Sequence, residues 1–133
     1  MAIVWRGKEL TAKVRAAAMR GLIKGAMRVQ ADAIRRIEEP PKTGRLYRRR
    51  SIVHQASAPG EAPATDLGNL VISITINPIP ARLRVNINAG ASYAAALEFG
   101  TKHIEPRPYM RVSLIENLPQ IKDDVSDAIR IAL

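Results

Sequence analysis

The residues of this chain that could do chemistry are few, and they do not add up to a reaction. His54 and His103 are its only histidines, and there is no cysteine, so a zinc site would need carboxylates for its remaining ligands. Ser51 precedes His54 by three positions, but no acid is placed to orient the imidazole, which leaves a hydrolase arrangement incomplete. Gly21 and Gly25 fall inside a helical pattern and not in a strand-to-helix loop, so there is no phosphate-cradling motif. The reading is of a protein that is not an enzyme, with no cofactor and no metal.

Three other groups of polar residues could contact a partner. Glu98 lies in an apolar stretch, Tyr93 to Phe99, and a Pro-rich turn separates it from Arg107, Tyr109 and Arg111. Glu98 either caps and solvates its short helix, or pairs with an arginine such as Arg107 or Arg111 and locks the joint. The second group is Arg45, Tyr47, Arg48, Arg49 and Arg50, a basic tract with a single aromatic and so without the interleaved rings of a base-stacking surface. The third is a stripe of Lys13, Arg20, Lys24, Arg28 and Arg35, open to DNA phosphates, to solvent or to an acidic neighbour.

These residues need elements to position them. From Glu9 to Glu38, Val14, Ala18, Leu22, Ala26, Val29, Ala33 and Ile37 recur every three or four positions, which predicts one long helix with the basic stripe on its far side. Pro40-Pro41 ends it. A helix of that span is about 45 Å long, more than a domain this size buries, so part of it should project or meet another subunit. Gly21 and Gly25 predict close packing on a second helix. Residues 39–66, rich in Pro, Gly, Ser and Arg, read as a projecting arm or hairpin, with Ile52 to Gln55 as a short strand.

Residues 67–133 read as an α+β body. Leu70, Ile72, Ile74 and Ile76 alternate with Val71, Ser73 and Thr75 in a first strand, and Leu83, Val85 and Ile87 with Arg84, Asn86 and Asn88 in a second. Pro78 to Ala81 is expected to link them tightly. A short helix from Tyr93 to Phe99 closes at Gly100 in the left-handed conformation. A last helix runs from Pro108 to Ala132, with Leu114, Leu118, Ile121, Val125, Ile129 and Ala132 on its apolar face. Glu116, Asp123, Asp124 and Asp127 lie away from that face, and Pro119 should kink or restart the helix. The fold class is α+β in a single domain, residues 1–133.

Charge sharpens the division. The first 50 residues hold 14 Lys/Arg and 4 Asp/Glu, and the other 83 hold 7 and 8, so the whole net charge of +9 lies in the helix and arm. Such asymmetry suggests nucleic acid, an anionic surface or an acidic partner. No apolar run approaches the about 20 residues of a membrane span, and the start of the chain is too short in apolar residues for a signal peptide. A soluble protein is expected. Aromatics are only 4%, so the core must be aliphatic, and Trp5 lies near a terminus.

The order of motifs carries a resemblance. Thr43-Gly44-Arg45-Leu46-Tyr47 is followed by Ala56-Ser57-Ala58-Pro59-Gly60-Glu61-Ala62-Pro63-Ala64 and Asp66-Leu67-Gly68-Asn69-Leu70. Tyr93-Ala94, Glu98-Phe99-Gly100-Thr101 and Pro106-Arg107-Pro108-Tyr109 then open the last helix. Over residues 9–133 this resembles the tail-component proteins of long-tailed bacteriophages, although Leu67 stands where a threonine is more usual.

The resemblance implies a ring-forming head–tail joining or tail-completion protein of the virion neck, assembled in the host cytoplasm. Its partners would be copies of itself, in rings on the order of six or twelve subunits, and neighbouring connector, stopper, tail terminator or tail tube proteins. Genomic DNA would pass through the channel, and no membrane is involved. The alternative from the residues alone is a small basic DNA-binding protein. A membrane-surface helix fares worse, because Ala and Gly dominate the apolar face.

Overall fold

A computed structural model describes residues 2–39, 42–49, 51–58, 61–63 and 68–133; the side chains of Tyr47, Arg49, Ile52 and His54 fall outside that description. The chain is α+β, as the patterning predicts. Helix α1 spans Gly7–Glu38, an arm carries strands β1 (Leu46–Arg49) and β2 (Ile52–Gln55), and a single turn α2 (Asn69–Ile72) leads into β3 (Ile74–Ile79). A 3-10 turn, Pro80–Arg82, joins β3 to β4 (Arg84–Ala89), and α3 (Ala94–Phe99) and α4 (Met110–Ala132) complete the chain.

Helix α1 is the spine. Its apolar stripe is Ala- and Gly-rich, so α4 comes very close on one side. A Cβ on Gly21 would lie 2.6 Å from the Val125 Cα, and one on Gly25 would lie 2.9 Å from the Ile121 side chain. These contacts, with Arg36 reaching Glu116, make α4 antiparallel to α1. On another side of α1 lies the antiparallel pair β3–β4, in register from Ile74 opposite Ala89 to Ile79 opposite Arg84. Gln30 Nε2 donates to the Ile74 carbonyl at 2.8 Å and Arg15 to the Ala81 carbonyl at 3.3 Å, so the hairpin follows α1 along half its length. Ala33, Ile37, Leu70, Ile74, Ala94 and Tyr109 form the core where α1, the hairpin base and the α3–α4 joint meet.

The structure corrects the sequence reading at several points. Leu70 to Ser73 are not strand. Gly68 at φ 74° starts a helical turn in which Ser73 N–H bonds back to Asn69 and its hydroxyl to the Leu70 carbonyl. That turn buries Leu70 and leaves Ile72 77% exposed. Strand β3 continues through Pro78 and Ile79, and the link falls on Pro80–Leu83, with Leu83 left-handed at φ 49°. Gly100 has positive φ but an extended ψ of 171°, a region open only to glycine, and a Cβ there would meet the Ile104 carbonyl and Pro106. Helix α4 starts at Met110 and runs without a restart through Pro119.

The face of α4 also differs. Ser113 and Asp124 are its fully buried residues, while Leu114 and Leu118 are each 42% exposed. Over the first half of the helix the inner positions are Ser113 and Asn117 in place of Leu114 and Leu118, because Asn117 and Asp124 have partners on α1, whereas Ile121 and Val125 keep their expected places against Gly25 and Gly21.

Candidate functional site

Glu98 makes the joint between α3 and α4. Its carboxylate, buried at 9% exposure, accepts the backbone N–H of Tyr109 at 2.9 Å, of Met110 at 3.0 Å and of Arg111 at 2.8 Å. The first N–H groups of any helix lack intrahelical partners, and their positive end favours an anion. Glu98 therefore caps α4 from eleven residues upstream, and neither arginine side chain is its partner. Arg107 is tied by its backbone N–H to the Leu97 carbonyl at 2.6 Å, and its Nε finds no partner among the described residues. Tyr109 is 1% exposed, and its hydroxyl makes a long 3.4 Å bond to the Ala94 carbonyl. Burial, with the charge of Glu98 and then Tyr93 beside it, pushes its phenol up to about 12.

A polar seam joins α1 and α4. Asp124 accepts Arg28 Nε at 2.7 Å and Nη2 at 3.2 Å, with Lys24 Nζ at 3.5 Å. The Arg28 hydrogen bonds hold its carboxyl below the usual range, against burial. Asp32 receives Arg35 at 2.5 Å, Arg36 at 3.1 Å and Asn117 at 3.1 Å. Burial works to raise the Asp32 carboxyl, but the two arginines outweigh it and the net shift is downward. Arg36 also bonds Glu116 on α4. The acidic partner of Lys24 and Arg28 is thus the chain's own α4, and Arg35 is engaged within α1. Lys13 and Arg20, nearer the start of α1, remain exposed.

The arm is fastened at its neck. Glu61 accepts the Thr43 N–H at 2.9 Å, the Thr43 hydroxyl at 2.5 Å and the Ala58 N–H at 2.8 Å. Lys42 Nζ donates to the Arg36 and Ala62 carbonyls at 2.7 and 2.8 Å. Gly44 lies so close to the Ala56 and Ser57 carbonyls that a Cβ would come within 2.6 Å of both. Beyond the neck, β1 and β2 pair antiparallel, Leu46 opposite Gln55 and Arg49 opposite Ile52, with Leu46 and Val53 exposed. Arg45 and Arg48 are exposed; the side chains of Tyr47 and Arg49, and Arg50 as a whole, lie outside the described residues.

Apolar side chains remain uncovered at both ends of the α1–α4 pair. At one end are Ile3, Val4, Trp5 and Leu10 with Ile131 and Leu133. At the other, β4, α3 and the start of α4 border an open cleft of about 420 Å³, whose mostly apolar lining includes Ile87, Ala95, Phe99, Met110 and Leu114, with Arg111 as a cation at its edge. Phe99 is 71% exposed at its rim.

Of the residues expected to touch a partner, Phe99, Arg111, Arg45 and Arg48 are exposed, Arg107 is half-buried, and Glu98 and Tyr109 are internal. Ile3, Val4 and Trp5, three large apolar residues in a row before a basic helix, are also exposed, a feature that the motifs of the sequence do not single out. Among the described residues no group of three potential metal ligands gathers, and no helix is long and apolar enough to cross a membrane. No protein-family model, curated protein or solved structure matches the chain.

Proposed function

We propose that this chain is a structural subunit that acts by assembly, without catalysis, in the head–tail joining or tail-completion role that the motif order implies. The observation that carries this reading is the distribution of apolar surface. Among the described residues eleven apolar side chains are buried, whereas sixteen large ones are exposed. Those exposed gather mainly at the tip, the cleft and the α4 flank, and contiguous patches of that kind mark association surfaces. The internal joints are at the same time rigid: Glu98 fixes α3 to α4, and Glu61 with Lys42 fixes the base of the arm. A ring subunit in the virion neck needs that combination of stiff body and adhesive ends.

The second reading, a small DNA-binding protein, is favoured by the excess positive charge of residues 1–50. It is weakened by the engagement of Lys24, Arg28, Arg35 and Arg36 with carboxylates of the same molecule. Light scattering of the purified protein, with and without duplex DNA across a salt series, separates the two. A ring-sized species whose mass is indifferent to DNA at physiological salt is expected. A monomer or dimer that binds duplex tightly, with affinity falling steeply as salt rises, would overturn the assembly reading.

A further inference from the structure

We infer that the tip of one copy docks in the cleft of a second, with Trp5 as the anchor, so that subunits join head to tail. This inference rests on the assembly reading and names the surfaces that would carry it.

The tip is built to protrude. Gly21 lies against Val125 and Gly25 against Ile121, so in this antiparallel register α4 ends beside about residue 13 of α1. The first turns of α1 and the extended residues before them continue past that point. Ile3, Val4 and Trp5 are 94%, 70% and 88% exposed, and Ile131 and Leu133 add 86% and 73% at the same end. The Trp5 indole lies back over Gly7, where a Cβ would come within 2.6 Å of the ring, yet most of it faces solvent. With Leu10 these side chains expose on the order of 800 Å², about one partner's share of a stable interface, and docking covers that much only if the residues beside Trp5 lie along the rim of the cleft at Phe99 and Leu114.

The cleft is the matching concavity. Its volume of about 420 Å³ and its apolar walls suit a single aromatic side chain with an aliphatic neighbour. Its floor is held rigid by the Glu98 cap, so it needs no reorganisation to receive one.

Charge favours this pairing over the symmetric one. Residues 2–16 carry Arg6, Lys8, Lys13 and Arg15 with Glu9 as their only acid, so two tips face to face would set four cations against four, whereas the cleft sets only Arg111 against them. A protrusion that fits a different surface on the next copy makes a heterologous contact, and such contacts close into rings or run on as filaments.

Trp5 is the only tryptophan, which makes the test direct. Two variants of the full chain are needed, Trp5→Ala at the tip and Ala95→Arg at the exposed wall of the cleft, both checked for unchanged helix content by circular dichroism. The wild type should self-associate with concentration, and its indole emission should shift to shorter wavelength in step. Each variant alone should associate roughly 30-fold more weakly or worse, the loss expected of an interface anchor. Mixed together they should form a heterodimer and nothing larger, because only one tip and one cleft remain. The Ala95→Arg indole should then shift on addition of the spectrally silent Trp5→Ala chain.

If the wild type forms rings while its indole stays solvent-exposed, or the Trp5→Ala chain assembles normally, the docking is wrong although the assembly reading stands. A monomeric wild type that binds duplex tightly would remove both. A wild type monomeric at every concentration and indifferent to DNA would overturn the docking alone, as would an indole shift seen only with vesicles of equal phosphatidylcholine and phosphatidylglycerol. Failure of the mixed variants to pair would do the same.

Discussion

The two halves of α1 obey different rules. Between Ala17 and Ile37 it buries Ala17, Ala18, Met19, Ala26, Val29, Ala33 and Ile37, and its cations Lys24, Arg28 and Arg36 end on carboxylates of α4. From Gly7 to Ala16 the helix is almost wholly exposed, carries Lys8, Lys13 and Arg15, and follows three uncovered apolar residues. One half is satisfied inside the molecule, and the other has surface without an occupant. The helix is continuous across the change, so the difference lies in packing and not in helical propensity. The turns before Ala17 contribute no buried residue, and Arg15 ties them to the Ala81 carbonyl of the hairpin link.

Substitutions can sharpen that contrast, beginning with the greatest effect. Ile37→Ala opens a cavity in the buried half, and about 2–5 kcal/mol of unfolding free energy should be lost in a urea titration. Glu98→Ala leaves the first N–H groups of α4 without an acceptor, and about 2–3 kcal/mol should go, with Glu98→Gln recovering part. Gly21→Ala forces a methyl group onto the Val125 backbone, where overpacking costs about 1–3 kcal/mol and should lower Tm.

Along α1 an acid effect should likewise fall on the buried half, while Glu61 at the neck of the arm, its carboxyl held low by the Thr43 hydroxyl and by backbone N–H groups, adds its own. Asp32 and Asp124 have carboxyls held below their ordinary values in the fold. Their stabilisation is therefore complete above an unfolded pKa of about 3.9 and is lost as pH falls through the lower folded values. Asp124→Asn should lower Tm at neutral pH and flatten the fall of Tm between pH 5 and pH 2, limits set by about that unfolded value. Tyr109 works in the opposite direction. Its phenol, pushed up to about 12, favours the fold below the unfolded value near 10, and that contribution fades as pH rises through 12. Smallest of all, Leu10→Ala in the exposed half should change the stability of the monomer by less than about 0.5 kcal/mol. If it destabilised the monomer as much as Gly21→Ala, the exposed half would be packed after all.

The long helix, the hairpin arm, the second strand and the last helix are all legible from apolar periodicity and from Pro and Gly punctuation. The pair Gly21 and Gly25 also signals the close helix contact that the structure contains. Leu70 to Ser73 misleads because alternation over four residues cannot distinguish a strand from one helical turn, and Gly68 decides for the turn. The face of α4 misleads for another reason. Periodicity ranks residues by apolarity, and here Asp124 and Asn117 take inner positions because their partners wait on α1. Glu98 stands out in its apolar stretch, but its three acceptor bonds are to backbone, and side-chain types give no notice of those.

The most direct test of the central claim, that the exposed half exists to be covered by assembly, is amide hydrogen exchange across a range of protein concentration. Residues 2–16 and the cleft wall around Ala95 and Phe99 should gain protection together as concentration rises, while Ala17 to Ile37 stays protected throughout. Exchange in the first half of α1 that is fast and identical at every concentration, with and without added virion neck proteins, would contradict the account.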